Sequence, residues 1–124
     1  MGLAIAEQFL QAGAHVAIAA RDPAELAKAK RQLLVSMPQA KAPTILEVVC
    51  DITEPSSIET AVETVQHALG SIDVLVNNAG IMAVAPLLNQ SERHFEEAMD
   101  TNFYGAMHTT FAILPGIFNL RTHR

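Results

Sequence analysis

The stretch from Ile72 to Gly80, Ile-Asp-Val-Leu-Val-Asn-Asn-Ala-Gly, constrains the fold more than any other part of the chain. A short apolar run bounded by polar residues and glycine is typical of a strand buried on both faces, as in a parallel sheet. Asn77 and Asn78 follow that run at its carboxyl end, where open α/β sheets bind their ligands. Because amides both donate and accept, and Ala79 and Gly80 are small, a flat ligand could approach the backbone here. The alternative interpretation is an asparagine-rich turn after a core strand.

Strands and helices alternate along the rest of the chain. Strands are predicted at residues 15–20, 45–50 and 72–77, and helices at 2–13, 23–37, 55–69, 91–99 and 101–118. Strands that alternate with helices form βαβ units with right-handed crossovers. The sequence therefore predicts a doubly wound α/β domain with a parallel sheet.

Composition and charge exclude several classes of partner. Half of the 124 residues are apolar and 17% are charged, which is typical of one globular domain with a single core. The net charge is −5 and the basic residues are scattered, so neither nucleic acid nor an anionic membrane is expected as a partner. No apolar run reaches the roughly 18 residues of a membrane span.

The residues that bind metals or form disulfides are few and badly spaced for either purpose. The only cysteine, Cys50, favours a reducing, cytoplasmic location and is expected to be buried and unreactive. The five histidines, at positions 15, 67, 94, 108 and 123, lack metal-ligand spacing. No metal site is therefore predicted.

With its elements in order, the chain resembles the short-chain dehydrogenase/reductase (SDR) family over essentially all of its length. Four motifs carry the resemblance in the expected order: Gly2-Leu-Ala-Ile-Ala, Asp51-Ile52, Asn77-Asn78-Ala79-Gly80 and Thr101-Asn-Phe-Tyr-Gly105. The resemblance implies a partial NAD(P)-binding Rossmann-like domain spanning residues 1–124. Its sheet would be incomplete, with only strands 2, 3 and 4 and their flanking helices.

The resemblance also implies roles for the cofactor-binding residues. Asp51 would accept a hydrogen bond from the adenine amino group, and Ile52 would border the ring with its backbone and side chain. Asn78, followed by Ala79 and Gly80, would lie near the adenosine ribose. The alternative role for Asp51 is a cap for the following helix, and for Asn78 it is an ordinary turn amide.

Two further motif residues lie at the ends of the resemblance. Gly2 would end the Gly-rich loop that, with the helix it opens, holds the pyrophosphate. Asn102 would be the catalytic residue that holds a water between a catalytic lysine and solvent. The alternative for Asn102 is an ordinary asparagine at the start of a helix.

Arg21 bears on the choice of cofactor. An acid at the end of the second strand would bind the ribose 2′-hydroxyl and select NAD. Here the strand ends on Ala19 and Ala20, and Arg21 follows directly, where its planar fork could pair with a 2′-phosphate. We therefore predict NADP as the cofactor, with NAD as the alternative.

Several parts of the family pattern do not occur in the 124 residues. The pattern needs a first strand with a Thr-Gly-x-x-x-Gly loop before Gly2, and a Ser and a Tyr-x-x-x-Lys pair after the last helix. The only tyrosine, Tyr104, has His108 rather than lysine four residues later. We therefore expect a fragment cut at both ends and only weakly stable alone. In the strand order 3-2-1-4, a gap or direct pairing is expected between strands 15–20 and 72–77.

The function that the resemblance implies is hydride transfer between NADP and an alcohol or carbonyl substrate, with this chain inactive alone. The full-length relative is expected to be a homo-oligomer. An alternative is a non-catalytic fragment or pseudo-enzyme that binds nucleotide or pairs with an intact relative. A nucleotide-sugar epimerase of the extended branch fits less well, because Asn77-Asn78-Ala79-Gly80 is typical of the shorter enzymes.

Overall fold

The computed structural model of the chain describes residues 1–37, 43–81 and 84–122. Its main elements, in chain order, are α1 (Gly2–Gln11), β1 (Val16–Ala20), α2 (Pro23–Val35), β2 (Ile45–Val49), α3 (Pro55–Leu69), α4 (Glu92–Met99) and α5 (Ala106–Thr122). A 3₁₀ turn, Leu87–Asn89, precedes α4, and a π-turn, Asp100–Gly105, joins α4 to α5. The alternation of helices and strands confirms the predicted α/β class.

The two strands pair in parallel and end at the same edge of the sheet. Their register runs from Val16 opposite Ile45 to Ala20 opposite Val49. The backbone N–H of Cys50 then donates to the Ala20 carbonyl at 2.9 Å. The residues that follow each strand are therefore held side by side at the carboxyl edge.

The third predicted strand does not form in the described part of the chain. Residues 72–80 have no ladder with either strand, and Val74 and Val76 are 58% and 44% exposed. The prediction that this segment is a strand buried on both faces is therefore wrong for the described structure. A strand needs a neighbour for its N–H and C=O groups, and the 3-2-1-4 order leaves one strand position between this segment and β1. The lack of pairing with β1 agrees with that predicted separation.

Helices cover both faces of the small sheet. On one face, Ala6 and Leu10 of α1 pack with Leu33 of α2 and Ile45 of β2. On the other face, Val48, Cys50, Ile58 and Ala61 form a second cluster, against which Ala112 of α5 packs. Alternate residues of each strand point to opposite faces, so both faces carry apolar side chains, as in a doubly wound fold.

The ends of the helices follow the sequence signals closely. Gly13 and Gly70, with φ of 90° and 85°, lie in the left-handed region just after α1 and α3. Asp22 caps α2 by accepting the Ala24 N–H at 2.8 Å. A glycine just after a helix and an Asp-Pro pair just before one are the local sequence signals that favour these ends.

The C-terminal helical region differs from the sequence prediction. Two separate helices meeting near residue 100 were expected, but Asp100 keeps helical geometry and the π-turn continues directly into α5. Asn102 therefore lies inside a continuous helical segment, and the alternative interpretation as a helix-start residue is wrong. Single π-turns inside helices occur frequently at functional sites.

Candidate functional site

Arg21 and Asp51 lie together at the carboxyl edge of the sheet. The Asp51 Oδ1 atom accepts two hydrogen bonds from Thr53, from its hydroxyl at 2.7 Å and from its backbone N–H at 3.0 Å. The Thr53 hydroxyl, then its N–H, and to a smaller extent the charge of Arg21, lower the pKa of Asp51 below its ordinary value. The carboxylate is therefore ionised at neutral pH.

Asp51 does not cap the following helix. The N-cap of α3 is Glu54, and the Asp51 side chain binds Thr53, which precedes it. Within the described residues, the second carboxylate oxygen, Oδ2, has no hydrogen-bond partner. The alternative role as a cap is therefore wrong, and one oxygen is available to a ligand.

Ile52 attaches this strand end to the π-turn. A Cβ atom added to Gly105 would lie 2.7 Å from Ile52 Cδ1 and 3.1 Å from the Ile52 carbonyl oxygen. The half-buried Ile52 side chain also packs against the cluster beneath α3. Its side chain thus has a packing role, and the contact of Ile52 with adenine stays a prediction.

The N-terminus of α1 lies against Asn78. A Cβ atom on Gly2 would stand 2.5 Å from Asn78 Nδ2 and 3.1 Å from Asn78 Cγ, so only glycine permits this approach without a shift. Within the described residues no side chain caps α1, and its first helical hydrogen bond is from the Ile5 N–H to the Met1 carbonyl at 3.1 Å. The preceding N–H groups are therefore free for an anion.

The segment from Asn77 to Ile81 is held at both ends by one helical region. Asn77 Nδ2 donates to Thr110 Oγ1 at 3.1 Å. Asn102 accepts the Ile81 N–H through Oδ1 and donates to the Ile81 carbonyl through Nδ2, both at 2.7 Å. Gly80 is close enough that an added Cβ would lie 3.2 Å from Asn102 Oδ1. The side-chain amide of Asn102 is therefore bonded to the Ile81 backbone.

These contacts connect the residues predicted from the sequence. The π-turn contacts Ile52 on one side and Ile81 on the other, and Asn78 reaches Gly2. Ala79 lies between Asn78 and Gly80 and is exposed. Whether these residues bind a cofactor, and whether Asn102 acts in catalysis, stay predictions.

Sequence reasoning missed the residues that position the others. Gly105 and Thr110 were not predicted to contact Ile52 and Asn77, although both follow Asn102 closely in the chain. The usable signals were a glycine three residues after Asn102 and a hydroxyl residue eight after it. These spacings alone do not predict the contacts, because the π-turn decides which of these residues lie on the same face of the helix as Asn102.

Other groups have structural roles. Cys50 is buried and burial raises the pKa of its thiol, in keeping with the expected lack of reactivity. Tyr104 contacts the rings of Phe103 and His108.

Across residues 1–37, 43–81 and 84–122 there is no cluster of three acidic, histidine or cysteine residues that could hold a metal. His123 lies outside these ranges. Within the same part of the chain, no helix has the length and apolar character needed to cross a bilayer.

A parallel sheet with helices on both faces and polar residues at its carboxyl edge defines an incomplete Rossmann-like unit. The profile of the short chain dehydrogenase family matches residues 1–122, and the chain therefore belongs to that family. Galactitol 2-dehydrogenase of Agrobacterium fabrum is 36% identical over 107 residues, covering 86% of this chain and 39% of that protein.

Solved structures show the same likeness. L-sorbose reductase from Gluconobacter frateurii, complexed with NADPH and L-sorbose, matches 94% of this chain and 43% of its own, with a TM-score of 0.81 and 30% identity. A short-chain type dehydrogenase/reductase from Mycobacterium marinum matches 96% of this chain and 46% of its own, with a TM-score of 0.85 and 28% identity. The chain thus spans less than half the length of these proteins.

Proposed function

We propose that this chain provides the adenosine-binding side of an NADP-dependent oxidoreductase that exchanges a hydride with an alcohol or carbonyl compound. The observation that carries the proposal is that Arg21 and Asp51 follow two paired strands at the same edge of the sheet, where the Cys50 N–H donates to the Ala20 carbonyl. The Gly2–Asn78 contact supports it, because it brings an uncapped helix N-terminus to the loop that follows residues 72–77. Such an N-terminus suits a pyrophosphate.

The polar groups that the structure leaves available fit an adenosine. Asp51 is ionised, and Oδ2 can accept a hydrogen bond from an exocyclic amino group. Ile52 offers its backbone beside the ring, since its side chain packs against Gly105. The cofactor would supply the hydride, and the residues described here would bind and orient its nucleotide end.

Arg21 is the residue that favours NADP. It is exposed, and within the described residues it forms no salt bridge. The neighbouring acid, Asp22, caps α2, and within the described residues it forms no ion pair with Arg21. A 2′-phosphate would be a suitable partner for this planar donor fork. The similar L-sorbose reductase has been solved with NADPH.

A second candidate function is nucleotide binding without catalysis by this chain. The observation that favours it is that the only tyrosine, Tyr104, is followed four residues later by His108, so the 124 residues hold no Tyr-x-x-x-Lys pair. In that case the chain would bind nucleotide or pair with an intact relative. Oxidation of NADPH by the purified chain with a panel of aldehydes and ketones would contradict this candidate.

The test of the main proposal is calorimetric titration with 2′,5′-ADP and 5′-AMP. A charge-assisted contact with the 2′-phosphate should make 2′,5′-ADP bind about 10- to 100-fold more tightly than 5′-AMP. Arg21→Ala should remove most of this preference and leave the affinity for 5′-AMP nearly unchanged. Arg31→Ala, on an exposed position of α2, is the matched control. An unchanged preference in Arg21→Ala would show that Arg21 does not select the cofactor.

A further inference from the structure

We infer that Thr110 is a positioning residue for the nucleotide-binding loop, and that the π-turn places Thr110 and Asn102 on one helix face so that they hold the two ends of Asn77–Ile81. This inference rests on the proposed function, because the loop matters only if its three central residues face a nucleotide. The loop contacts are a 3.1 Å hydrogen bond at Asn77 and a pair of 2.7 Å bonds at Ile81.

The π-turn explains how two residues eight positions apart reach the same short loop. In an uninterrupted α-helix, residues eight apart differ by about 80° around the axis. A π-turn accommodates one extra residue, so the effective separation falls to seven positions, or about 20°. Asn102 and Thr110 indeed bond to the two ends of the same five-residue segment, which places their side chains on the same side of the helical region.

The hydroxyl of Thr110 also fixes the orientation of the Asn77 amide. Thr110 Oγ1 donates its proton to the Ala106 carbonyl at 2.7 Å, so it can only accept from Asn77. Asn77 must therefore present its NH₂ group to α5, as the 3.1 Å contact shows. Its carbonyl oxygen is not used in this bond, and within the described residues it has no hydrogen-bond donor.

The neighbouring threonine is a natural control. Thr109 Oγ1 donates to the Gly105 carbonyl at 2.7 Å, the same type of bond within the helix that Thr110 makes. Within the described residues, Thr109 has no contact with the loop through its hydroxyl. Replacing either threonine by valine removes a hydroxyl of the same kind, but only the Thr110 change should release Asn77.

The test compares Thr110→Val, Thr110→Ser and Thr109→Val in the full chain. Two readouts are needed: the side-chain amide resonance and hydrogen exchange of Asn77 by NMR, and the affinity for 2′,5′-ADP. Thr110→Val should shift the Asn77 resonance, speed its exchange and weaken nucleotide binding about 2- to 10-fold, as expected for one lost hydrogen bond. Thr110→Ser keeps the hydroxyl, so both readouts should stay close to the wild-type values. Thr109→Val should also leave both readouts at the wild-type level.

Asn77→Ala provides an independent second variant, because it removes the same bond from an exposed position and does not alter α5. It should weaken nucleotide binding as much as Thr110→Val does. The double variant, Asn77→Ala with Thr110→Val, should bind 2′,5′-ADP with the same affinity as either single variant. Additive effects of the two changes would overturn the inference. So would Thr110→Val and Thr109→Val behaving alike.

The outcomes separate this inference from the proposed function. If the wild-type chain binds no nucleotide, the proposed function fails, whereas the Asn77 resonance and exchange still test whether Thr110 holds the loop. If nucleotide binds and Thr110→Val changes neither the resonance nor the affinity, the proposed function stands and the role of Thr110 is refuted.

Discussion

An added methyl group at Gly105 should be damaging, because both side-chain and backbone atoms of Ile52 lie close to this position. An alanine Cβ there would lie 2.7 and 2.9 Å from two side-chain atoms of Ile52 and 3.1 Å from its carbonyl oxygen. The side chain could turn away, but the carbonyl could retreat only if the Asp51–Ile52 backbone moved. Overpacking of this kind costs about 1–3 kcal/mol.

Gly116 provides the matched comparison, because it lies in the interior of α5. A Cβ at Gly116 would meet Gln66 Nε2 at 3.4 Å, which is an ordinary contact. Replacing a glycine inside a helix by alanine stabilises the helix by about 1 kcal/mol. Gly116→Ala should therefore be neutral or stabilising, and Gly105→Ala should be less stable than Gly116→Ala by about 1–3 kcal/mol.

Urea unfolding followed by far-UV circular dichroism measures this difference. The same Gly105→Ala change in an Ile52→Ala background should be milder, because the two closest atoms are then absent. Equal free energies of unfolding for Gly105→Ala and Gly116→Ala would refute the close contact between the π-turn and the Asp51 loop.

Two further predictions concern the sheet edge. The pKa of Asp51 is lowered mainly by Thr53, so the stability this carboxylate contributes is present above its unfolded pKa and is lost as the pH falls through the lower, folded value. Thr53→Val should raise the pKa of Asp51 in a carbon-detected NMR titration, and an unchanged pKa would contradict the hydrogen bonds described. Asp22→Ala should lower the free energy of unfolding by about 1 kcal/mol through loss of the α2 cap, whereas an unchanged urea midpoint would show that the cap contributes nothing.

Local signals were sufficient for helices α1 to α3 and for the two paired strands. Asp22 followed by proline, and glycines at positions 13 and 70, have conformational preferences that act within a few residues. The fold class followed because alternating elements leave few ways to bury both faces of a parallel sheet.

Two features could not be predicted because they depend on what lies beside a segment. Residues 72–77 have the composition of a buried strand, but pairing also requires a neighbour, and none is present in the described ranges. The π-turn brings Gly105 close to Ile52, and these two residues are far apart in sequence. The motifs therefore predicted roles for Asn78, Asp51 and Asn102, whereas the contacts made by these residues became visible only in the structure.

The most direct test of a nucleotide site at the carboxyl edge of the sheet is an NMR titration of the isotope-labelled chain with NADPH. We expect the backbone amides of Gly2, of Asp51 and Ile52, and of Asn78 to Gly80 to shift together with one dissociation constant. Amides of the exposed helix α4 should stay in place. Shifts confined to α4 and α5, or no shift at millimolar NADPH (the weak limit of ligand affinity, about −4 kcal/mol), would contradict a nucleotide site at this edge of the sheet.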